Sequence, residues 1–464
     1  MNKFLKKAVS IVCAAVLALG FSGCGLFKED KAITAYEIAV KNGFVGTEAE
    51  WLESLKGANG EDAEQYDIKQ LYEAAKAEGG YSGSFLDFLK EYLQLNVVED
   101  NDTEMIANNV FSVVSINCGF KKTVKVSGGW MGGTTTKEEI YASAGSGVIV
   151  DVNKQAGNAT IITNYHVIYD SESNTSNHIS DEIYVYPYGA FNGFSSSTGK
   201  DENGDGIKVR YVGGAMDYDI AILAIEGSEY IKNSDVQAAK IGDSDTVKVG
   251  EKVFAIGNPG NAGISVTSGV VSVDSEYISM YSSDGKYREV SYRVMRTDAA
   301  INSGNSGGAL FNAYGELIGI TNAKSVEDGV DNMCYALPIT SVGYLCDNII
   351  DNGGVLQKAT LGIMTQLTDS EAHLVDGEVV MKETCVVVQV NEGVIAHGKL
   401  KVGDVLEAIT IKGKTVELQR RYYLNDLLLS VRKGDSIVLR VLRDGSSVDV
   451  TFIFDKDGYF STMS

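Results

Sequence analysis

The chain has 464 residues, 44% of them hydrophobic, a length and composition suited to about two to four domains with apolar cores. Its 62 Asp and Glu against 40 Lys and Arg give a formal net charge of −22. That balance excludes a nucleic-acid binder, because phosphate recognition needs Lys and Arg clustered on one face.

At the N-terminus, Lys3, Lys6 and Lys7 precede an apolar run at 8–19, followed by Phe21-Ser22-Gly23-Cys24. A charged, then apolar, then small-residue succession is an export signal, and the apolar run is too short to span a bilayer. The last four residues resemble the lipobox of bacterial lipoproteins, although Phe21 departs from the usual aliphatic residue. The resemblance makes Cys24 the lipidated first residue of a mature chain anchored outside the cytoplasmic membrane. Cys118, Cys334, Cys346 and Cys385 follow without CxxC spacing or neighbouring histidines, so no metal site is expected; they read as small buried hydrophobes or as partners in one or two disulfides.

Residues 30–96 read as helices broken by glycines and carry an internal repeat. Tyr36-Glu37, Gly43-Phe-Val-Gly-Thr47 and Glu50-Trp-Leu52 return as Tyr72-Glu73, Gly80-Tyr-Ser-Gly-Ser84 and Asp87-Phe-Leu89, an offset of 36 to 37 residues. Thr47 and Ser84 suit helix N-caps. The segment is either a partner- or wall-binding module or a helical spacer, and no chemistry attaches to it. From residue 108 onward, short β-branched runs alternate with glycine turns: 110–116, 145–150, 159–163, 183–186, 207–212, 220–225, 252–256, 266–273 and 317–320. That texture predicts a β sandwich or a pair of barrels.

Three polar elements stand at the ends of these runs. Thr163-Asn-Tyr-His-Val167 places His166 just past a buried strand, Asp217-Tyr-Asp219 heads another, and Gly304-Asn-Ser-Gly-Gly308 surrounds Ser306 with residues that permit a sharp turn. A serine hydroxyl becomes a nucleophile when an imidazole accepts its proton and a carboxylate orients that imidazole. The chain order His, Asp, Ser is that of the chymotrypsin-type double barrel, not of subtilisin or the α/β-hydrolases. Asp217 competes with Asp219 for the acid's role; Asp219 is preferred because it directly precedes the apolar strand. His178, His373 and His397 fall outside any such motif and are expected at the surface.

These motifs, with Ser112-Val-Val-Ser-Ile116, Gly145-Ser-Gly147, Ile241-Gly-Asp-Ser244, Ile256-Gly-Asn-Pro-Gly260 and Gly315-Glu-Leu-Ile-Gly-Ile320, closely resemble the HtrA (Deg) family of trypsin-like serine proteases over residues 108–455. The resemblance implies a mainly β fold, a double six-stranded β-barrel protease followed by a PDZ domain, behind a small α-helical repeat segment. The expected boundaries are 1–23 signal peptide, 24–100 repeat or spacer, 101–352 protease and 353–464 PDZ domain. It also implies His166 as general base, Asp219 as orienting acid, Ser306 as nucleophile, and the Gly304 and Ser306 N–H groups as oxyanion hole. Ile301, Lys324 and Ser325 match substrate-pocket positions, the last two departing from the aliphatic residues of better-known members. Leu361, Gly362 and Ile363 match the carboxylate-binding loop of the PDZ domain, with Lys399 standing where the family usually has glycine.

By the same resemblance, the partners would be unfolded or C-terminally exposed protein substrates cut without a cofactor, the membrane reached through the lipid, and two further copies in a homotrimer. A latent, chaperone-like lipoprotein is the alternative. Within the long interval between His166 and Asp219, Asp201-Glu-Asn-Gly-Asp-Gly206 has the spacing of a calcium-loop start. Val212 stands at the twelfth position in place of Glu, so a hairpin turn is expected there.

Overall fold

The computed structural model describes residues 102–127, 134–175, 177–282, 288–324, 333–375 and 378–463. The signal, Cys24, the repeat and Ser325 lie outside them. After α1 (Asp102–Asn109), the first sheet takes β1 (Val113–Ser127), β2 (Thr134–Asn153), β3 (Asn158–Thr163) and, beyond the one-turn α2 (Tyr165–Ile168), β4 (Glu182–Pro187). A small hairpin of β5 (Phe194–Ser195) and β6 (Lys200–Asp201) comes next. Then β7 (Ile207–Lys208), β8 (Arg210–Ala215) and β9 (Ile220–Ile225) complete the order β7-β4-β1-β2-β3-β9-β8.

Past α3 (Glu229–Asn233), the second sheet is built from β10 (Lys240–Ile241), β11 (Lys252–Gly257), β12 (Ser265–Tyr281), β13 (Glu289–Thr297), β14 (Ala309–Asn312), β15 (Glu316–Lys324) and β16 (Cys334–Pro338). Its order is β10-β15-β14-β11-β12-β13-β16. Each sheet thus counts seven strands where six were expected; β7 and β10, both at sheet edges, are only two residues long.

The apolar runs are nearly continuous because both faces of these strands are covered. Along β9, Ile220 and Ile222 enter a core shared by the two sheets, while Ala221, Leu223 and Ile225 enter the first sheet's own core. Along β14, Ala309 and Phe311 face the shared core and Leu310 the second sheet's own. The period-2 alternation of strand side chains therefore feeds two cores at once. Each such Ile, Leu or Phe contributes about 1.5–3 kcal/mol by leaving water.

Three expected elements differ. Residues 110–112 form a 3₁₀ turn, tightened by the Ser112 hydroxyl donating to the Asn109 carbonyl (2.7 Å), so the strand starts at Val113. The run at 207–212 splits, with β7 pairing to β4 and β8 to β9, and the Val209 N–H bonding Ile183 O between them. The turn at 202–206 is not that of a hairpin, because β6 pairs β5 while β7 pairs β4. Asp201 there accepts from Tyr186 Oη (2.8 Å) and the Gly204 N–H (3.2 Å), and Asp205 from the Phe191 N–H (2.9 Å). Among the described residues, no group of three or more His, Cys, Asp and Glu could hold a metal ion.

Cys118, Cys334, Cys346 and Cys385 are buried free thiols, and burial pushes that of Cys346 up to about 12. His397 is exposed, and the exposed His373 bonds Glu371. His178 is half-buried against Tyr169, with Nδ1 3.0 Å from Ser173 O, and is not the surface residue expected.

The chain then enters α4 (Ile339–Asp351), whose Ile339, Val342, Leu345, Cys346 and Ile349 pack into the shared core. Beyond it come β17 (Leu356–Ala359), β18 (Ile363–Val375), β19 (Glu378–Val390), β20 (Val405–Ile411), β21 (Lys414–Glu417), α5 (Tyr423–Leu428), β22 (Ser436–Arg443), β23 (Ser446–Ile453) and β24 (Phe460–Met463). They make a third sheet, β18-β19-β20-β22-β23 with β21 on β20, and a β17·β24 pair. This module encloses its own core around Val387, Ile409, Leu439 and Phe452.

Arg293 of β13 fastens the module to the second sheet. Its guanidinium, 3% exposed, bonds Asp426 of α5 (2.7 Å), lies 2.9 Å from Asp245 and stacks 3.4 Å over the Tyr422 ring. Burial drives the Asp245 carboxyl above its usual range despite the arginine. Asp426→Ala removes one of the two carboxylates on the buried guanidinium and leaves Asp245 as the other. It should therefore cost about 1–3 kcal/mol, the scale of one lost hydrogen bond to a charged group, read as a lowered denaturant midpoint, whereas cutting the exposed Lys433–Asp457 pair should leave the midpoint unchanged.

Candidate active site

Strand β3 ends at Thr163, whose hydroxyl is held by Ser146 O (2.7 Å), and the chain turns through extended Asn164 into α2, which carries His166. At the head of β9, Asp219 adopts φ +52, a left-handed conformation that Asp tolerates better than most residues. Its main-chain oxygen accepts from Asn164 Nδ2 (2.9 Å) and the Tyr165 N–H (3.2 Å), which ties the two strand ends together. Its carboxylate then meets His166 twice, at the backbone N–H (2.9 Å) and at Nδ1 (2.7 Å). Because a carboxylate only accepts, Nδ1 carries the proton and Nε2 presents a lone pair.

Desolvation works to lower the imidazole's pKa, but the Asp219 charge and hydrogen bond outweigh it and hold it above the ordinary value. Asp217 points elsewhere, in a bidentate pair with Arg288. Of the two candidate aspartates, the fold brings Asp219 to the histidine.

Ser306 arrives on the loop between β13 and β14. Gly304 has φ +99, and a Cβ there would stand 2.2 Å from Asn258 O; Gly307 has φ +83, with Ser146 O at 2.3 Å. Only glycine fits either place. The loop's carbonyls are turned outward and pinned: Ser303 O by the Gly260 N–H (2.8 Å), Gly304 O by Ser146 Oγ (2.7 Å), and Ser306 O by the Ser146 N–H (2.9 Å). Asn305 O is held by Thr321 Oγ1 (2.5 Å). Among the described residues, no protein group accepts the N–H of Gly304 or of Ser306.

The Ser306 hydroxyl does not bond His166; it donates to Asn322 O (2.7 Å). His166, Asp219 and Ser306 nevertheless line one cavity of about 250 Å³, walled by Met216, Met280 and Val290.

The expected pocket residues fare differently. Ile301 is buried at 2% exposure in the second sheet's core, its N–H 3.3 Å from Cys334 Sγ, and does not line that cavity. Lys324 ends β15 with its backbone opposite Cys334. In the C-terminal module, Leu361 is buried, Gly362 has φ +71 and Ile363 opens β18, an edge strand of its sheet. The Gly362 N–H already donates to Thr360 Oγ1 (3.2 Å).

Two site residues escaped the sequence reading. Asn322 reaches Asp219 and holds Ser306, and Tyr292 reaches Asn322. The available signal for Asn322 was the polar Thr321-Asn322 pair that follows the apolar 317–320 run.

With this geometry in hand, comparison decides the type of domain. Residues 145–320 match the family described as trypsin-like peptidase domain, an interval that holds His166, Asp219 and Ser306. The chain is 30% identical over 326 residues to the serine protease Do-like HtrA of Bacillus subtilis, covering 68% of this chain and 64% of that one. It is 30% identical over 333 residues to the periplasmic serine endoprotease DegP of Salmonella typhimurium, covering 71% of this chain and 61% of that one.

Residues 145–320 form a trypsin-like peptidase domain, similar in sequence to proteases of the HtrA type.

The chain spans less than two thirds of the length of either curated relative. Among solved structures, the HtrA-type protease AlgW with tripeptide aligns at a TM-score of 0.47 and 24% identity, covering 78% of this chain and 97% of that one. The trypsin-like peptidase domain takes His166 and Asp219 from the first sheet and Ser306 from the second.

Proposed function

We propose that the protein is an extracytoplasmic serine endopeptidase that cleaves misfolded or specific surface proteins through an acyl-enzyme. The observation that carries this reading is the His166–Asp219 pair at 2.7 Å, facing one cavity with Ser306. In the reaction, the Ser306 hydroxyl swings from Asn322 O to His166 Nε2, gives up its proton there, and attacks the scissile carbonyl. Asp219 stabilises the imidazolium, which then protonates the leaving amine; water repeats the sequence on the ester. The oxyanion formed in each half-reaction is received by the Gly304 and Ser306 N–H groups, pre-aimed because the neighbouring carbonyls are pinned away. An apolar side chain of the substrate suits the Met216, Met280 and Val290 wall, and Ile301, Lys324 and Ser325 remain candidates for the primary pocket.

Residues 353–464 act in this proposal as a PDZ domain. An extended peptide adds to the edge strand β18 and its carboxylate is received at Leu361, Gly362 and Ile363. Cys24 anchors the chain to the outer face of the membrane, and three copies assemble. The curated names of the relatives, an HtrA protease and a periplasmic endoprotease, support the activity and the compartment.

The test combines two assays. The wild type should digest a chemically unfolded protein, and should bind a peptide with a free C-terminal carboxylate at least tenfold more tightly than its amidated form, the order of one charge-assisted contact. Gly362→Val should remove that preference, since a Cβ at φ +71 meets Val394 at 2.5 Å. Equal binding of both peptides would refute the PDZ role, and an intact substrate the protease role. The bond from Ser306 to Asn322 O favours a second reading, a latent chaperone-like lipoprotein in which the hydroxyl never reaches His166.

A further inference from the structure

A second cavity, of about 100 Å³, opens where the C-terminal module meets the second sheet. Its floor is apolar: Leu337 of β16, Val342 and Leu345 of α4, and Leu429 just past α5 are each no more than 4% exposed. Its mouth is polar, formed by Tyr277 of β12, Lys358 of β17, Asn425 of α5 and Tyr218 from the turn before β9. At about 10–15 Å³ for each water-sized group, it has room for about seven to ten non-hydrogen atoms.

The arginines of this seam are balanced by acids. Arg293 meets Asp426 and Asp245, and Arg420 meets Asp274. Lys358 differs: its Nζ donates to Tyr218 Oη (2.9 Å) and lies 5.6 Å from the centre of that ring, and no carboxylate pairs with it among the described residues. An ammonium has three N–H donors, so two remain. Tyr218 Oη accepts from Lys358, and Tyr277 Oη accepts from Asn425 Nδ2 (3.5 Å). Each of these hydroxyls keeps its own hydrogen, for which no protein acceptor stands among the described residues. The carboxylate in the wall, Asp426, is already occupied by Arg293 and the Ser341 hydroxyl.

Donors are thus in surplus around the mouth, above a floor that offers only apolar contact. The complementary ligand has a head that only accepts hydrogen bonds and a compact apolar body. An ionised carboxylate is such a head. We infer that this cavity is a binding site for a small monocarboxylic acid, a short aliphatic or aryl carboxylate of about seven to ten non-hydrogen atoms, its head received by Lys358 and Tyr218 and its body by Leu337, Val342 and Leu345. An inorganic anion leaves the floor unfilled, and a peptide exceeds the space. The site depends on neither the protease nor the PDZ reading. It does lie beside the triad, since Tyr218 directly precedes Asp219 and Tyr292 walls both this cavity and the one that holds Ser306.

The experiment is a ligand-observed NMR titration of the full chain with benzoate, beside benzyl alcohol, which keeps the ring and lacks the charge. Benzoate should bind at least tenfold more tightly than the alcohol, the order of one charge-assisted contact. It should also bind at least tenfold more tightly than inorganic phosphate, which buries no apolar surface. Lys358→Met keeps the apolar stem and removes the charge, and should bring benzoate down to the level of the alcohol. Ser291→Trp, at the exposed mouth, should weaken benzoate at least tenfold while leaving the denaturant midpoint unchanged. Gly362 is not part of the cavity, so Gly362→Val should bind benzoate as the wild type does. No binding by about 10 mM benzoate, or equal binding of benzoate and either comparison ligand, would overturn the assignment. So would unchanged benzoate binding in folded Lys358→Met or Ser291→Trp, and loss of binding in Gly362→Val would move the carboxylate to the peptide loop and overturn it as well.

Discussion

Ser306→Ala should lower kcat on an unfolded protein by about 10⁵- to 10⁶-fold, the loss expected when a triad that acts as a unit is broken at its nucleophile. The fold should not register the change. Ser306 is half-buried, its hydroxyl bonds one carbonyl, and the turn is shaped by Gly304 and Gly307 and by the pinned carbonyls. Binding of a C-terminal peptide should also persist, because the module at 353–464 encloses a separate core. Turnover and peptide titration on one preparation check both halves. Loss of peptide binding together with activity would mean that the substitution damages the structure.

Asp219→Asn should cost about 10⁴-fold in kcat, because an amide presenting N–H toward His166 Nδ1 favours the wrong tautomer. Its pH profile should change in a defined direction. In the wild type the Asp219 charge and hydrogen bond hold the imidazole above its usual pKa against desolvation, so activity should fall away as pH drops through a value above about 6.5. With the charge gone, desolvation dominates and the acidic limb should move to lower pH. The same raised value makes the pair's contribution to folding full below the unfolded imidazole's pKa of about 6.5, fading as pH rises through the folded value. A limb unchanged in Asp219→Asn would show that His166 is not the titrating base.

The order His166, Asp219, Ser306 was readable because each residue stands where an apolar run stops, and a polar residue there projects from a covered strand end. The choice between Asp217 and Asp219 was readable for the same reason, whereas Arg288 as partner of Asp217 was not, since it comes from a distant hairpin. Nothing in the local sequence marks the resting place of the Ser306 hydroxyl, which depends on one side-chain torsion. An apolar residue five positions before the serine suits a pocket wall and a sheet core equally, and only the fold shows Ile301 packed in the second sheet's core with its N–H toward Cys334 Sγ.

Adjacent residues of β13 show what alternation conceals. Tyr292 faces the site and Arg293 the C-terminal module, where it meets Asp426 across 133 positions. Period-2 patterning shows that the two must diverge, but only the packed fold shows where each arrives. The turn at 202–206 was recognised by its Asp and Gly content, yet its misreading as a hairpin arose because pairing partners are set by β4 and β5, far from the turn itself.

The central claim is that Ser306 is an activated nucleophile, and intact mass after exposure to a serine-directed phosphonate tests it most directly. The wild type should gain one adduct, mapped to the peptide containing Ser306, and Ser306→Ala should gain none. An unmodified wild type, with and without C-terminal peptides present, or an adduct that persists in Ser306→Ala, would contradict it.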